Sequence, residues 1–155
     1  TMILLPLIRD NVSVPIIAAG GIKDGRTMAA AFALGAEGVQ MGTQMVSSYE
    51  SPVHENWKNA IIAASETDTL FLNQKHSPAL RALRTDRSER LLDSQENIFG
   101  EFGIPQDLYF GGDMEAAIAL SGQVAGRIDK VRTVSDIIDA TVSEFGETVR
   151  YLNKK

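Results

Sequence analysis

Two short strand-like runs, each ending in glycine, constrain the fold of this chain more than any other feature. The first run is PIIAAGG at residues 15–21 and the second is GVQMG at residues 38–42, with a helix-like segment between them. A strand that ends in glycine and leads into a helix N-terminus presents unpaired backbone N–H groups, which suit a phosphate. Two such ends in succession are what the last two strands of a (β/α)8 barrel offer to a phosphate group. The pair therefore predicts an α/β barrel segment with a phosphate-binding end.

The residues around these runs agree with that prediction. Residues 14–18 form an apolar run without polar alternation, which predicts a strand buried on both faces of a parallel sheet. Asp24 is a candidate N-cap for a helix over residues 27–34, and Gly35 is a candidate for its C-terminal turn. Thr43 follows the second run with a hydroxyl that can donate to a phosphate oxygen. The alternative is that the glycines only form tight turns.

The two runs resemble the flavin-phosphate end of FMN-dependent barrels, a form that inosine-monophosphate dehydrogenases and 2-hydroxy-acid oxidases share. Three further stretches narrow the choice: TMILLP at residues 1–6, residues 58–69, and SGQVAG at residues 121–126. Together they resemble the nitronate monooxygenase family, the former 2-nitropropane dioxygenases. Close relatives in that family act as flavin-dependent enoyl-acyl-carrier-protein reductases. The resemblance is dense over residues 1–69, thin over 74–112, and returns near 121–128.

This resemblance implies the C-terminal part of a (β/α)8 TIM barrel with a mainly helical cap or insertion, and FMN as the cofactor. In the family the catalytic histidine lies upstream of the segment that opens here at Thr1, so no catalytic residue is expected in this chain. We interpret the chain as the C-terminal portion of a longer protein whose N-terminal half completes the barrel. The residues predicted to bind the cofactor are Ala19, Gly20, Gly21, Gln40, Met41, Gly42 and Thr43.

By the same resemblance, the expected function is that of an FMN-dependent oxidoreductase that oxidises alkyl nitronates with O2. The first alternative is a flavin-dependent enoyl-acyl-carrier-protein reductase that uses NAD(P)H. The second alternative belongs to a different class: a catalytically inert phosphate-binding or interaction fragment that needs a partner chain. The expected partners are a small-molecule substrate and the N-terminal half of the barrel, and a homo-oligomer is left open.

Composition argues against several other classes of protein. The formal net charge of −5 disfavours a nucleic-acid or anionic-membrane partner, since both require a concentrated basic surface. No apolar run is long enough for a membrane span. The chain has no cysteine, so disulfides and thiolate chemistry are excluded, and no group of His, Asp and Glu has the spacing of metal ligands. We predict a cytoplasmic protein.

Beyond the glycine runs, the middle of the chain is predicted to be mainly helical. Ser51 and Pro52 are typical of an N-cap and a first helical position. Residues 69–72 predict a strand, and the irregular residues 74–112 predict a cap or insertion between a barrel segment at 1–73 and C-terminal helices at 113–155. The apolar face of the helix after Pro52 consists of Val53, Trp57, Ala60, Ile61 and Ala64.

The last third of the chain predicts two helices. Residues 111–113 indicate a turn and an N-cap for a helix over residues 114–127, on which Gly122 and Gly126 would allow close backbone packing. Thr133 and Asp136 have the spacing of a capping box for the final helix. The predicted apolar face of the final helix comprises Val134, Ile137, Ile138, Thr141, Val142, Phe145 and Val149.

The two histidines and a series of arginines have both structural and functional interpretations. For His54 a capping or solvated role is favoured over catalysis. His76 lies in a polar loop and is a weak candidate for substrate contact. Arginines recur every third residue, which favours a solvated face paired with nearby acids over a docking patch for an acidic carrier protein. The arginines are Arg81, Arg84, Arg87 and Arg90, and the predicted acids are Asp86, Glu89 and Asp93.

Overall fold

A computed structural model describes residues 1–155. The chain divides into two compact units: unit 1 comprises Thr1–Gly42 and Thr133–Lys155, and unit 2 comprises Thr43–Arg132. Two 3₁₀ helices lie at Ile98–Glu101 and Gln123–Arg127. None of the helices is both long enough and apolar enough to cross a membrane. The other elements in chain order are α1 (Leu4–Asn11), β1 (Ile17–Ala19), α2 (Gly25–Ala33), β2 (Gly38–Gln40), α3 (Thr43–Val46), α4 (Glu55–Ala63), β3 (Thr69–Leu72), β4 (Leu80–Leu83), α5 (Asp86–Leu91), α6 (Pro105–Tyr109) and α7 (Val134–Leu152).

Unit 1 is built on two parallel strands joined by a helix. β1 pairs with β2 so that Ala18 faces Val39 and Ala19 faces Gln40, and α2 makes the crossover. The prediction of a strand buried on both faces is wrong, because Ala18 is buried while Ile17 is 59% exposed. Only one face of the strand pair is covered by an apolar cluster in this chain. That cluster contains Leu5, Ala18, Ile22, Ala31 and Ala36.

Both ends of α2 follow the sequence prediction. The Asp24 carboxylate accepts a hydrogen bond from the Thr27 N–H, and the Thr27 hydroxyl accepts one from the Asp24 N–H, which completes a capping box. At the other end, the N–H groups of Gly35 and Ala36 donate to carbonyls of the last turn, and Gly35 has φ +98°. This is a Schellman motif with glycine in the left-handed position. These caps fix where the crossover helix begins and ends.

α7 begins as predicted but covers less of its apolar face than predicted. The Thr133 side chain accepts a hydrogen bond from the Asp136 N–H at 3.0 Å, which confirms the N-cap. Ile137 and Thr141 are buried, and Phe145 meets Phe32 of α2 edge to face at 5.3 Å. Three residues of the predicted face remain exposed: Ile138 at 45%, Val142 at 56% and Val149 at 37%. The reason is that α7 contacts α2 along a narrow stripe, so a wide apolar face is only partly covered.

Unit 2 contains an antiparallel strand pair and the helix that carries Trp57. β3, the predicted strand, pairs with β4, a strand that the irregular sequence of residues 74–112 did not predict. The predicted face of α4 is confirmed, since Trp57 and Ile61 are buried in the core of the unit. Its predicted N-cap is wrong: His54, rather than Ser51, caps α4, because the His54 Nδ1 accepts from the Asn56 N–H at 3.1 Å. The capping role favoured for His54 is thereby confirmed.

The helix predicted over residues 114–127 does not form. Only Gln123–Arg127 is helical, as a 3₁₀ turn, while residues 114–116 form a turn and residues 117–122 have no regular helical structure. Ala117 and Leu120 make β-bridges with Gly103 and Ala82. The backbone of this segment pairs with neighbouring chain, and its buried side chains fill the core, so tertiary pairing overrides the helical propensity of MEAAIAL. The turn at residues 111–113 is confirmed, with Gly112 at φ +73°.

Candidate functional site

The candidate site in unit 1 lies where β1 and β2 end. β1 is followed by Gly20 and Gly21, and β2 is followed by Met41 and Gly42. Because the strands are parallel and Ala19 pairs with Gln40, their carboxyl ends lie at the same edge, about 4.8 Å apart in the hydrogen-bonding direction. The two predicted glycine runs are therefore brought together.

The backbone at this edge is open. Gly20 and Gly21 have φ values of +88° and +80°, in the left-handed region where side chains are disfavoured. A Cβ atom added at Gly20 or at Gly42 would have no neighbouring atom within 4 Å. Gly42 also lies outside the positive-φ region, so neither packing nor turn geometry accounts for glycine there. The tight-turn interpretation thus explains Gly20 and Gly21 but not Gly42, and no atom of this chain fills the space beside Gly42.

The N-terminus of α2 differs from its predicted role. The sequence suggested that its unpaired N–H groups would face a phosphate, but two of these N–H groups already donate to carboxylates. The Gly25 N–H donates to Glu144 Oε2 at 2.9 Å, and the Thr27 N–H donates to Asp24 Oδ1 at 3.0 Å. The candidate anion site is therefore restricted to the glycines that follow the strands.

Asp24 remains charged in this arrangement. Burial raises its pKa, but hydrogen bonds from the Thr27 N–H and from Arg26 outweigh the burial, so the pKa of Asp24 lies below its ordinary value. The Arg26 guanidinium lies 3.0 Å from Asp24 and 3.2 Å from Glu144. The first turn of α2 is thus held by a network of one guanidinium and two carboxylates.

The other predicted cofactor residues divide according to their place on the strands. Ala19 and Gln40 are exposed on the uncovered face of the strand pair. Met41 instead packs against the apolar cluster of unit 1, so only its backbone is available at the edge. Thr43 belongs to unit 2, where its hydroxyl oxygen accepts a hydrogen bond from the Gly122 N–H at 2.8 Å. The predicted role of Thr43 in phosphate binding stays a prediction.

His76 lies in the loop between β3 and β4. Its Nε2 atom is 2.9 Å from the carbonyl oxygen of Gln95, a contact that holds the loop rather than leaving the ring unpartnered. Its predicted contact with substrate is not tested by this geometry and stays a prediction.

The four arginines do not form one helical face. Arg81 lies on β4 and donates to the Thr69 hydroxyl at 3.1 Å, while Arg84 follows the strand and pairs with Asp68 and Glu89. Arg87 and Arg90 lie on α5 and face Glu115. The pairing with acids favoured from the sequence is found, although Glu89 is the only predicted acid among the ion-pair partners. The arginines therefore serve contacts within unit 2.

Sequence reasoning missed Glu144, which is 119 positions from the Gly25 N–H to which it bonds. Nothing in its local pattern distinguishes it from other acids on the polar side of a helix. The only indirect clue is Gly25 itself, a glycine at the start of a helix, where a second chain segment can approach closely.

The strand edges and the fold define the class of protein: this chain forms part of a (β/α)8 barrel. It is similar to the structure of FabK from Thermotoga maritima, with a TM-score of 0.90 and 42% identity over 99% of this chain and 51% of that one. It also shares the fold of nitroalkane oxidase from Streptomyces ansochromogenes, with a TM-score of 0.75 and 23% identity over 97% of this chain and 44% of the other. The predicted fold class is confirmed.

The chain belongs to the nitronate monooxygenase family, whose model matches residues 1–144. It is 33% identical to a probable nitronate monooxygenase of Staphylococcus aureus, over 97% of this chain and 44% of the relative. The chain thus spans about half the length of the relatives that it matches. The predicted family is confirmed, and membership supports a flavin cofactor.

Proposed function

We propose that this chain supplies the flavin-phosphate end of a flavin-dependent oxidoreductase that oxidises alkyl nitronates with O2. Family membership supports the class of reaction. The observation that carries the proposal is the open backbone at the carboxyl ends of two parallel strands, above all the empty surroundings of Gly42. The carboxyl ends of barrel strands are where barrel enzymes place their ligands.

The residues at this edge fit a phosphate group that is bound by backbone. Gly20, Gly21 and Gly42 leave their peptide groups open to approach, and a Cβ atom would fill that space. Gln40 adds a side-chain amide on the same uncovered face of the strand pair. We propose FMN as the flavin, with its single phosphate at these glycines.

In this assignment the chain's own residues bind and orient, and they do not transfer protons. The flavin, when bound, would supply the electron transfer between substrate and O2. The backbone of the open glycines fixes the phosphate end, and the ion-pair network of Asp24, Arg26 and Glu144 holds the helix that follows. We propose no residue of this chain as the catalytic base.

The test is anaerobic titration of the purified full-length protein, followed by its absorbance spectrum. We expect flavin bands that bleach when an alkyl nitronate is added and that return on admission of O2, with no bleaching by NADH. Bleaching by NADH together with turnover of a crotonyl thioester would replace this proposal with the enoyl reductase. A protein that retains no flavin under any loading condition would leave only the inert-fragment interpretation. The predicted cytoplasmic location stays a prediction.

A further inference from the structure

Glu144 of α7 holds the first turn of α2 through two contacts. One carboxylate oxygen accepts from the Gly25 N–H at 2.9 Å, and the other lies 3.2 Å from Arg26 Nε. The two helices meet backbone to backbone at this point, because a Cβ atom on Gly25 would lie 2.1 Å from the Phe145 nitrogen. Glu144 therefore makes both contacts where the backbones of α2 and α7 approach each other closely.

The first turn of α2 is in turn connected to the open glycines. The side chain of Ile22 is buried in the core of unit 1 directly after Gly21. The N–H groups of Lys23 and Asp24 both donate to the Thr27 hydroxyl at 3.0 Å, so the loop is tied to the helix before the helix begins. On its other side the glycine pair follows Ala19 of β1. Gly20 and Gly21 are therefore the two residues between the end of β1 at Ala19 and the buried Ile22.

From this arrangement we infer that Glu144 is a positioning residue for the phosphate loop. It fixes the start of α2, and α2 fixes the end of the loop from which Gly20 and Gly21 present their backbone. The inference rests on the proposed flavin-phosphate site. Its physical basis is preorganisation: backbone donors that are already in place bind an anion without an ordering cost, and a loop that must be ordered first binds it more weakly.

The experiment compares FMN with riboflavin, which lacks the phosphate, in the full-length protein. Dissociation constants are measured by flavin fluorescence for the parent protein and for Glu144→Ala, Glu144→Gln and Glu147→Gln. Glu147 lies on the same helix and is exposed, which makes it the matched control. Helix content by circular dichroism checks that each variant is folded.

We expect Glu144→Ala to weaken FMN binding about tenfold, the scale of one lost charge-assisted hydrogen bond, and to leave riboflavin binding unchanged. Glu144→Gln keeps an acceptor for the Gly25 N–H and should restore much of the loss, while Glu147→Gln should match the parent. A purely structural role would lower the affinities for FMN and riboflavin together, and that result would overturn the inference. An unchanged FMN affinity in Glu144→Ala would overturn it as well.

The parent protein separates this inference from the proposal on which it rests. If the parent binds FMN no better than riboflavin, the phosphate site itself is wrong, and the positioning role is overturned with it. If the parent prefers FMN and Glu144→Ala keeps that preference in full, the phosphate site stands and only the role of Glu144 is refuted.

Discussion

Two groups of glycines in this chain have opposite surroundings. The open glycines at the strand edge are Gly20, Gly21 and Gly42, around which an added Cβ atom would meet nothing closer than 3.9 Å. At the packed glycines Gly25 and Gly126, the same atom would lie 2.1 Å and 2.4 Å from backbone of another segment. In our proposal, glycine leaves room for a ligand in the first group, whereas in the second it allows close backbone packing.

The position of an open glycine in the fold decides whether it is a candidate for ligand binding. Gly100 has no neighbour within 4 Å either, but it lies in the 3₁₀ helix Ile98–Glu101 of unit 2. The open glycines of unit 1 instead follow two adjacent parallel strands. Empty space alone is thus weak evidence for a ligand site, and empty space at the carboxyl ends of paired barrel strands is much stronger evidence.

The largest expected effect on stability comes from filling a packed position. Gly25→Ala should lower the free energy of unfolding by about 3 kcal/mol or more, because a rigid backbone rather than a flexible side chain stands in the way. Urea unfolding of the full-length protein, followed by circular dichroism, measures this. A decrease in the free energy of unfolding of less than about 1 kcal/mol would mean that α2 and α7 can move apart to accept the methyl group. Gly25 would then not belong among the packed glycines.

A smaller loss is expected at the cap of α2. Asp24→Ala should cost about 1–2 kcal/mol, since the Asp24 side chain caps the Thr27 N–H and pairs with Arg26. The pKa of Asp24 is lowered in the folded protein, so the unfolded chain takes up the proton first as the pH falls. The contribution is present above the unfolded pKa of about 4 and is lost as the pH drops through the folded pKa.

Urea unfolding of Asp24→Asn against the parent, from about pH 7 down to about pH 3, checks that sign. The parent should lose stability faster than the variant at the acid end of the range. Parallel curves for the two proteins would show that Asp24 does not carry the expected charge-dependent contribution.

The smallest expected change in stability is a gain, at Gly146. Gly146 lies inside α7, and an added Cβ atom would meet only the end of the Arg150 side chain, at 3.4 Å. Gly146→Ala should therefore stabilise the protein by about 0.5–1 kcal/mol through helix propensity. Thermal melting of this variant beside Gly25→Ala compares a glycine with open surroundings on α7 with a packed glycine on α2. A lower melting temperature for Gly146→Ala would disagree with this account.

The parts of the fold that sequence predicted are those set by local chemistry. The N-caps at Asp24 and Thr133 and the glycine turn at Gly35 all depend on residues within a few positions of one another. The parallel pairing of two apolar runs around a short helix also follows from a local pattern. These features are confirmed because nothing distant competes with them.

The parts that sequence missed depend on distant partners. Residues 114–120 have helical composition, yet Ala117 and Leu120 pair with Gly103 and Ala82. The sequence predicts that the N-terminus of α2 faces a phosphate. In the structure, Glu144, which lies far along the chain, accepts the hydrogen bond from the Gly25 N–H at this end of the helix. The open and packed glycines could not be told apart for the same reason, since the sequence does not reveal which segments approach each of them.

The central claim is that Gly42 is glycine to leave room for the flavin phosphate. Gly42 has no strained φ, and an added Cβ atom would meet no neighbour, so we expect Gly42→Leu to leave the fold unchanged. Gly100→Leu, at a position with equally open surroundings, is the matched control in unit 2. The measurement is the FMN stoichiometry of the full-length protein and of both variants, with helix content as a check. The account predicts that Gly42→Leu loses FMN while Gly100→Leu retains it. Full FMN occupancy in a folded Gly42→Leu protein would contradict it.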